Sequence, residues 1–350
     1  MNAAHHDNAL GALLLPFAEG TLRWPGEGVL FLRAREGAAL HAINARGFAA
    51  TQPFKPEAEQ LQRIGVELLD EDALQAHAFA LVLLLPPRQR EEARALLAKA
   101  CAACAPGGIV IAAVANDEGA KSRETDLKQL AGDLTVHSKH HCRVFWTKPG
   151  AAFDVELLAR WSQADAPRRI ASQDVPNGTF LSRPGVFAWD RVDAASKLLA
   201  AHLPSDLHGR VADFGAGWGY LSLQVLARCL GVASLDLYEA DARALALADA
   251  NLADAHLPMH CHWHDVANGV AERFDAIVCN PPFHALARGE RPDIGRAFIA
   301  SAANALKPGG ALWLVANRHL PYEEALASGF ASVRIVAQQA GFKIVHAVKA

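Results

Sequence analysis

The sequence lacks several features that would assign it to a specialised class of protein. Six cysteines in 350 residues are too few for the disulfide framework of a small secreted domain. No apolar run reaches the ~18 residues that a membrane-spanning helix needs, since the run from Leu81 to Leu85 is short and leads into the polar segment 88–94. The segment from Met1 to Asp7 lacks the basic region and long apolar core of a secretory signal. These absences predict a cytoplasmic protein with no membrane partner.

Two short motifs resemble metal-ligand clusters, but neither predicts a metal site. Cys101 and Cys104 form a C-x-x-C motif without a second pair, at the end of an alanine-rich helical segment, so packing in the core is favoured. The run from His260 to His264 contains three histidines and a cysteine. Successive side chains of a strand alternate between two faces, which separates these potential ligands. We therefore expect no bound metal.

Neither half of the chain is basic. Residues 1–170 hold 19 Lys+Arg against 20 Asp+Glu, residues 171–350 hold 15 against 17, and the net charge is -3. A protein that covers many phosphates gains affinity from released counterions, which favours a basic surface. The composition therefore disfavours a large nucleic-acid footprint and leaves room for a local basic patch.

The C-terminal half alternates predicted strands and helices, which indicates a parallel sheet covered by helices. The predicted strands are 210–214, 234–239, 259–263, 274–279 and 311–316. The predicted helices are 191–203, 220–230, 241–253, 293–306 and 322–327. The chain then ends in a predicted hairpin of 333–338 and 342–348. A doubly wound α/β sheet that closes with an antiparallel hairpin is the Rossmann-like architecture of class I methyltransferases.

The N-terminal half repeats this order of elements, which predicts two tandem domains of the same fold. The predicted strands are 29–32, 39–44, 66–69, 79–85 and 109–114, with helices at 56–64 and 89–104. The segment 34–37 after the first strand has no G-x-G turn, and Leu85 stands where the second copy has Asn280. We therefore predict a degenerate, non-catalytic domain at 1–165 and a catalytic domain at 166–350. The polar segment 164–169 is predicted to be the linker, followed by a small hairpin within 170–187 that covers the entrance of the second domain.

A glycine-rich turn follows the first strand of the second domain. Its residues are Asp213, Gly215, Gly217 and Gly219. Glycine lets the backbone adopt turns that a side chain forbids and lets it approach a ligand closely. The G-x-G-x-G spacing differs from the G-x-G-x-x-G of dinucleotide-binding enzymes, and no Lys-Ser/Thr follows as in a P-loop. Asp213 beside the loop suits a cationic amino acid better than a pyrophosphate, and S-adenosylmethionine carries such a group beside its sulfonium. It is the predicted cofactor.

Two further acidic residues end predicted strands near this turn. Glu239 ends the second strand, 20 residues after Gly219, where a carboxylate can accept both ribose hydroxyls of an adenosine. Asp265 ends the third strand and can accept the adenine amino group, while Val266 would pack on the adenine ring. The alternative for Asp265 is a simple turn with His264.

The fourth strand ends in Asn280-Pro281-Pro282-Phe283, which predicts a corner that binds a planar amine. The lone pair of an exocyclic amine is delocalised into the ring of the base, so this nitrogen is a poor nucleophile. The side-chain oxygen of Asn280 and the carbonyl of Pro281 can each accept one N–H and orient the nitrogen toward the methyl group. Phe283 can stack on the base, a contact worth ~1–3 kcal/mol. A paired base cannot reach such a corner, so the target is unpaired or flipped.

Basic residues near this corner are candidates for phosphate contacts. Arg288, Arg291 and Arg296 fall on the following loop and the first turns of the next helix. Arg318 and Lys343, each near a strand end, are further candidates. A solvated surface is the alternative for each of them.

From Pro184 onward, the sequence resembles the bacterial rRNA guanine-N2 methyltransferases of the RsmC/RlmG family. The matching segments are Pro184 to Phe187 with Asp190 and Asp193, the glycine-rich turn, Asn280 to His284, Val315 to Asn317, Leu320 to Tyr322, and Gly341 to Lys343. The resemblance implies methyl transfer from S-adenosylmethionine to the N2 amine of one guanine in ribosomal RNA. It also implies an inactive N-terminal methyltransferase-like domain, Asn280 beside the cofactor and Phe187 beside the RNA. Trp218 and Tyr220 make the turn bulkier than is usual in the family.

Within this family, the 16S rRNA enzyme fits better than the 23S rRNA enzyme. Ribosomal RNA or the small ribosomal subunit is therefore the expected partner, and the expected state is a monomer. The same corner also serves N6-adenine methylation of nucleic acids and glutamine methylation of release factors, although the latter usually has Tyr in place of Phe283. A non-catalytic RNA-binding or ribosome-assembly protein is the alternative of another class.

Overall fold

The computed structural model describes residues 7–43, 45–282 and 292–350. The chain divides into two compact units, Met1–Ala166 and Pro167–Ala350. Each unit contains one seven-stranded sheet, and each sheet buries apolar side chains on both of its faces. Burial on both faces is typical of a parallel sheet that carries helices on each side.

The first unit holds the N-terminal sheet and its helices. Its strands are β1 (Val29–Leu32), β2 (Phe48–Thr51), β3 (Glu67–Leu68), β4 (Phe79–Leu84), β5 (Cys104–Ala115), β6 (Leu134–Lys139) and β7 (Cys142–Thr147). Its α-helices are α1 (Asn8–Ala18), α2 (Ala38–Ala42), α3 (Lys55–Arg63), α4 (Arg90–Ala103), α5 (Ala120–Ala131) and α6 (Val155–Ser162).

The second unit begins with a two-stranded hairpin and continues into the C-terminal sheet. Its strands are β8 (Arg168–Ala171), β9 (Thr179–Ser182), β10 (His208–Phe214), β11 (Gly231–Glu239), β12 (Met259–Trp263), β13 (Phe274–Cys279), β14 (Leu306–Asn317), β15 (Ser332–Gln339) and β16 (Phe342–Val348). Its α-helices are α7 (Ala194–His202), α8 (Tyr220–Arg228), α9 (Ala242–Asn251), α10 (Pro292–Ala305) and α11 (Glu323–Gly329).

The two sheets have the same strand order. It is β3-β2-β1-β4-β5-β7-β6 in the first unit and β12-β11-β10-β13-β14-β16-β15 in the second. In each sheet the last two strands form an antiparallel hairpin on an otherwise parallel sheet. The predicted fold, two tandem Rossmann-like sheets of which the second closes with an antiparallel hairpin, is confirmed. The order reverses between β10 and β13, and open α/β sheets bind their ligands beyond the carboxyl ends of the strands at such a point.

One predicted strand of the first unit is wrong. Residues 39–44 were predicted to be extended, whereas Ala38–Ala42 form helix α2 and the second strand is Phe48–Thr51. Three of its five residues are alanine, which has the highest helix propensity. Leu40 is the residue of this short helix that is buried. Gly47 at φ +67° then turns the chain into the buried strand. The first unit also closes with the hairpin β6–β7, which the sequence pattern did not predict.

The first unit has charged, paired side chains where the second unit has its glycine-rich turn. Arg33 directly follows β1 at φ +54°, and Gly215 follows the corresponding strand β10 at φ +78°. The Arg33 guanidinium forms ion pairs with Glu71 (3.0 Å) and with buried Glu92 (3.4 Å). At the end of β4, the buried Arg123 donates to the carbonyl oxygens of Pro87 and Arg88. This internal network lies at the place where the second unit has its glycine-rich turn and its Asn280 corner.

We expect Arg33→Met to destabilise the first unit by about 3 kcal/mol, because it removes one charged partner from Glu71 and from the buried Glu92. The comparison is Arg63→Met, since Arg63 is 71% exposed and lies 3.8 Å from Glu59. That exposed pair contributes less than about 1 kcal/mol. Urea unfolding followed by circular dichroism measures both changes. Equal losses of stability in the two variants would show that the Arg33 ion pairs contribute no more to the free energy of unfolding than the exposed pair does.

Candidate active site

The glycine-rich turn of the second unit depends on left-handed backbone at three positions. Gly215, Gly217 and Gly219 have φ of +78°, +56° and +95°, a region that side chains disfavour. The amides of Gly215 and Ala216 donate to the carbonyl of Tyr238 at the end of β11. A methyl group added at Gly217 would meet no atom within 4 Å. The turn is therefore anchored to the sheet on one side and faces open space at Gly217.

Asp213 supports this turn from below and does not face that space. Its side chain is fully buried, and its Oδ2 accepts from the amide and the hydroxyl of Ser222 in α8 at 3.1 and 2.8 Å. Burial raises the pKa of this carboxyl to about 7, against the opposing effect of the Ser222 hydrogen bonds. Its Oδ1 is buried without a hydrogen-bond partner among the described residues, and the contact of Asp213 with the cationic part of a cofactor stays a prediction.

Glu239 joins the turn to the end of β11. Its carboxylate accepts from the amide of Gly217 at 2.8 Å through one oxygen and from the amide of Asp241 at 2.8 Å through the other. Desolvation raises the pKa of Glu239 to about 7, while the hydrogen bonds from the Asp241 and Gly217 amides act in the opposite direction. The residue is partly exposed and lies next to the open side of Gly217, where a ribose of S-adenosylmethionine would fit.

The raised pKa of Glu239 predicts that cofactor binding depends on pH. We expect the affinity for S-adenosylmethionine to rise several-fold from pH 6 to pH 8, because hydroxyl groups donate best to the ionised form of Glu239. Glu239→Gln is expected to weaken binding and to flatten this dependence, whereas Asp213→Asn should preserve it. Calorimetric titration at several pH values measures both. A wild-type affinity that is constant over this range would contradict the assignment.

The same groups affect stability in the opposite direction. A carboxyl with a raised folded-state pKa binds more protons in the folded protein than in the unfolded chain. Its contribution to the free energy of unfolding therefore falls as pH rises from about 4 to about 7. This fall in stability and the rise in cofactor affinity occur over overlapping pH ranges, so the two measurements must be made separately.

Asp265 and Val266 begin the short 3₁₀ helix Val266–Asn268. The Asp265 carboxylate caps this helix by accepting from the amide of Ala267 at 3.0 Å, and it remains partly exposed. Val266 is only 2% exposed and packs in the core with Phe214 and Ile277. The prediction that the Val266 side chain packs on an adenine ring is corrected, because that side chain is already covered by protein.

Asn280 is held by two residues that the sequence did not connect with it. Its Nδ2 donates to Oδ2 of Asp193 at 3.0 Å and to the hydroxyl of Ser196 at 2.7 Å. A carboxylate only accepts hydrogen bonds, so the amide nitrogen must face Asp193 and the amide oxygen must face away from it. The interaction links positions 87 residues apart. Only the helix-cap spacing of Asp193 and Ser196 was visible in the sequence.

The Asn280 corner and the glycine-rich turn line one cleft. Its walls are formed by Phe187, Ala188, Asp193, Ser196, Gly215, Ala216, Gly217, Trp218, Tyr220, Leu221 and Asn280. Phe187 is 67% exposed at this cleft, and the left-handed backbone of Ala188 (φ +49°) follows it. An exposed aromatic ring beside a polar cleft is a suitable stacking surface for a base.

The bulky residues of the turn point into the protein. Trp218 is 4% exposed and stacks on Phe180 of β9 with ring centroids 3.9 Å apart. Asn251 donates to the carbonyls of Leu181 and Trp218, which ties the predicted β8–β9 hairpin to the turn. Tyr220 packs edge-on against Trp218. The size of these side chains is therefore accommodated by the hairpin and leaves the Gly217 side open.

The predicted RNA-contacting residues fall into three groups. Phe283, Arg288 and Arg291 lie outside the described residues. Arg296 in α10 and Arg318 after β14 are exposed, as a phosphate contact requires. Lys343 is 3% exposed, and its Nζ donates to the carbonyl of Leu320 and to the Glu323 carboxylate. The prediction for Lys343 is incorrect, because its ammonium group is used inside the protein.

The residues of the two motifs that resemble metal-ligand clusters are buried in the core or paired with other side chains. Cys101 and Cys104 are buried, and burial raises the pKa of the Cys104 thiol to about 11. His262 lies 3.0 Å from the buried carboxylate of Asp236, which Arg210 also binds. Over 7–43, 45–282 and 292–350, no group of three or more His, Cys, Asp or Glu could hold a metal ion. In the same part of the chain, no helix is long and apolar enough to cross a membrane.

The sheet order, the glycine-rich turn and the Asn280 corner define a class I S-adenosylmethionine-dependent methyltransferase. A sequence model of the methyltransferase small domain family matches residues 177–346. The ribosomal RNA small subunit methyltransferase C of Psychromonas ingrahamii is 30% identical over 273 residues, which cover 77% of this chain and 76% of that protein. The protein of the same name from Hahella chejuensis is 33% identical over 237 residues, 66% of each chain. This chain belongs to the ribosomal RNA small subunit methyltransferase C family.

A solved structure extends this similarity to both units. The T. thermophilus 16S rRNA N2 G1207 methyltransferase (RsmC), in complex with AdoMet and guanosine, matches with a TM-score of 0.81 and 25% identity. The match covers 99% of this chain and 93% of the T. thermophilus chain. The predicted resemblance to the RsmC/RlmG family, and within it to the small-subunit member, is thereby confirmed.

Proposed function

We propose that this protein transfers the methyl group of S-adenosylmethionine to the N2 amine of a guanine in 16S ribosomal RNA. The observation that carries the proposal is the orientation of Asn280, whose amide nitrogen is held by Asp193 and Ser196. This arrangement leaves the amide oxygen as a fixed acceptor in the cleft beside the glycine-rich turn. The names of the relatives, and the AdoMet and guanosine in the T. thermophilus structure, support the same reaction.

The residues of the turn fit S-adenosylmethionine. A Cβ at Gly217 would point into open space, so the backbone there can be approached closely, and the partly exposed Glu239 carboxylate adjoins it. When bound, S-adenosylmethionine supplies a methyl group that its positively charged sulfur makes electrophilic. Glu239 would hold the ribose hydroxyls and Asp265 the adenine amino group. Asp213 keeps the turn in place through Ser222.

The Asn280 corner would orient the target amine without forming a covalent bond to it. The Asn280 amide oxygen and the Pro281 carbonyl each accept one N–H, which directs the nitrogen lone pair toward the methyl group. Neither acceptor has to ionise, and their fixed positions remove the orientational entropy that a free amine would lose. Phe187 would stack on the flipped base, and Phe283 is proposed to do the same. Arg288, Arg291, Arg296 and Arg318 are proposed to contact RNA phosphates.

The first unit is proposed to be a non-catalytic domain. Arg33 and Arg123 fill the positions that the second unit leaves open, and Leu85 cannot accept a hydrogen bond from an amine. We also propose that the protein acts as a monomer, since one unit contains all of the residues assigned to the reaction. We propose further that it is cytoplasmic and uses no metal.

Mapping of methylated nucleosides tests the proposed reaction. The purified protein is incubated with tritiated S-adenosylmethionine and with 16S rRNA, 23S rRNA or small ribosomal subunits, and the labelled nucleoside is identified by mass spectrometry. The expected product is N2-methylguanosine at one position of 16S rRNA, and the same position should be unmodified in cells without the protein. N6-methyladenosine, or RNA binding without methylation, would overturn the proposal in favour of the two alternatives.

A further inference from the structure

One carboxylate oxygen of Asp193 accepts no hydrogen bond from the described residues, and Asp193 lines the cleft. Its Oδ2 accepts from the Ser196 amide at 2.9 Å and from Asn280 Nδ2 at 3.0 Å. Its Oδ1 accepts no hydrogen bond from the described part of the chain, and the residue is partly exposed and lines the cleft. An acceptor therefore lies next to the Asn280 amide that would hold the target amine.

We propose that Asp193 Oδ1 accepts the N1–H of the target guanine and thereby selects guanine over adenine. The inference rests on the proposed function and assigns Asp193 as its specificity-determining residue. On the Watson–Crick edge of guanine, the N1–H and the N2 amine are adjacent donors. Adenine carries an amine next to an N1 that only accepts. A carboxylate satisfies the first pattern and repels the second.

The carboxylate is rigidly held, which selectivity of this kind requires. Asp193 is the N-cap of α7, and its side chain accepts from the Ser196 amide, one turn into the helix. The Ser196 side chain is 8% exposed, and helix α7 packs by Ala195 and Leu199 in the core of the unit. A site built around a fixed hydrogen-bonding group rejects a ligand that leaves this group unpaired more strongly than a site with a flexible group does.

Asp193→Asn tests the proposal because it replaces one hydrogen-bond acceptor, a carboxylate oxygen, by a donor, an NH2 group. The Ser196 amide and the Asn280 amide nitrogen both need an acceptor, so the new side chain must turn its oxygen toward them. Its NH2 group then replaces Oδ1 in the cleft. The helix cap and the hydrogen bond from Asn280 Nδ2 are retained, and the position of Oδ1 changes from an acceptor to a donor.

The assay compares two RNA fragments that span the guanine found by nucleoside mapping, one with guanine and one with 2-aminopurine at that position. 2-Aminopurine keeps the N2 amine but its N1 is an acceptor. The wild-type protein should strongly prefer guanine in kcat/KM. In Asp193→Asn, the ratio of kcat/KM for guanine to that for 2-aminopurine should fall by about 5- to 150-fold, which corresponds to ~1–3 kcal/mol of base discrimination.

Ser196→Ala is the matched control. It removes the second acceptor of the Asn280 amide (2.7 Å) and leaves the Asp193 carboxylate in place. It should lower kcat/KM for both fragments by the same factor. Melting temperature and S-adenosylmethionine affinity, measured for each variant, show whether the fold is intact.

Two results would overturn the inference, and they are distinguishable. Asp193→Asn could lower kcat/KM for both fragments by the same factor, as is expected for Ser196→Ala. In that case Asp193 only positions Asn280, and the proposed function stands. If the wild-type protein methylates neither fragment while it binds S-adenosylmethionine, the proposed function fails and the inference fails with it. A ratio that shifts toward 2-aminopurine in Asp193→Asn alone supports the proposal.

Discussion

Asn280→Ala is expected to lower the rate of methyl transfer by about 100- to 1000-fold or to background, the loss typical of removing one fixed group that acts in the transition state. The amide oxygen is the side-chain acceptor at the corner. Without it, the delocalised lone pair of the target amine is no longer directed at the methyl group. The affinity for S-adenosylmethionine should change only a few-fold, because Glu239 and the glycine-rich turn are untouched. A loss in kcat with little change in cofactor binding identifies a transition-state interaction.

A tritiated-methyl assay under single-turnover conditions measures this loss, with calorimetry for the cofactor. Asn177→Ala is the matched control, since Asn177 is exposed in the connection between β8 and β9. Asn280→Asp is not a conservative change, because it would place a second carboxylate where the amide now donates to Asp193. Turnover by Asn280→Ala near the wild-type rate would remove the basis of the proposed function.

Gly217→Val is expected to weaken S-adenosylmethionine binding by at least about 100-fold, for two reasons. Its backbone is at φ +56°, where a β-branched side chain is strained by about 1–3 kcal/mol. The added side chain would also occupy the space beside Glu239 that the cofactor needs, since a Cβ there meets no protein atom within 4 Å. That open space means that the fold itself should tolerate the change better than the cofactor does.

Gly309→Val separates backbone strain from loss of the site. Gly309 has φ +77° and equally open surroundings, but it lies near the start of β14, opposite the carboxyl ends of the strands. This control should bind S-adenosylmethionine as the wild-type protein does. Calorimetry should give one bound cofactor per wild-type chain and none for Gly217→Val. One equivalent bound with wild-type affinity in Gly217→Val would contradict this prediction, and two equivalents in the wild-type protein would contradict the degenerate first unit.

The agreement between sequence and structure is best where local patterns coincide with buried strands. The strands β10, β11, β12, β13 and β14 end at or within one residue of their predicted positions. Four of them contain a run of buried residues, whereas the side chains of β12 are only partly buried or exposed. The terminal hairpin agrees as well, since Ala340 and Gly341 both adopt positive φ in its two-residue connection. The helix α2 was missed because five residues carry too little periodicity to distinguish one turn of helix from a strand.

The site shows a different division. Glycine spacing and the Asn280 corner were visible in the sequence because such turns require particular residue types. Burial was not visible: Asp213, Val266 and Lys343 all lie near strand ends, and only the packed structure shows that their side chains face the protein. Whether an acidic or basic side chain reaches solvent depends on neighbours that are distant in the chain.

By itself, therefore, the sequence determined the order of elements, the duplication, and the residue types of the cofactor turn and catalytic corner, since these follow from short-range periodicity and backbone geometry. Only the tertiary structure decided which atoms meet in the cleft. The hydrogen bonds of Asn280 to Asp193 and Ser196 join the end of one strand to the start of a helix more than 80 residues earlier. Such contacts depend on how the sheet and helices pack, and no local pattern encodes them.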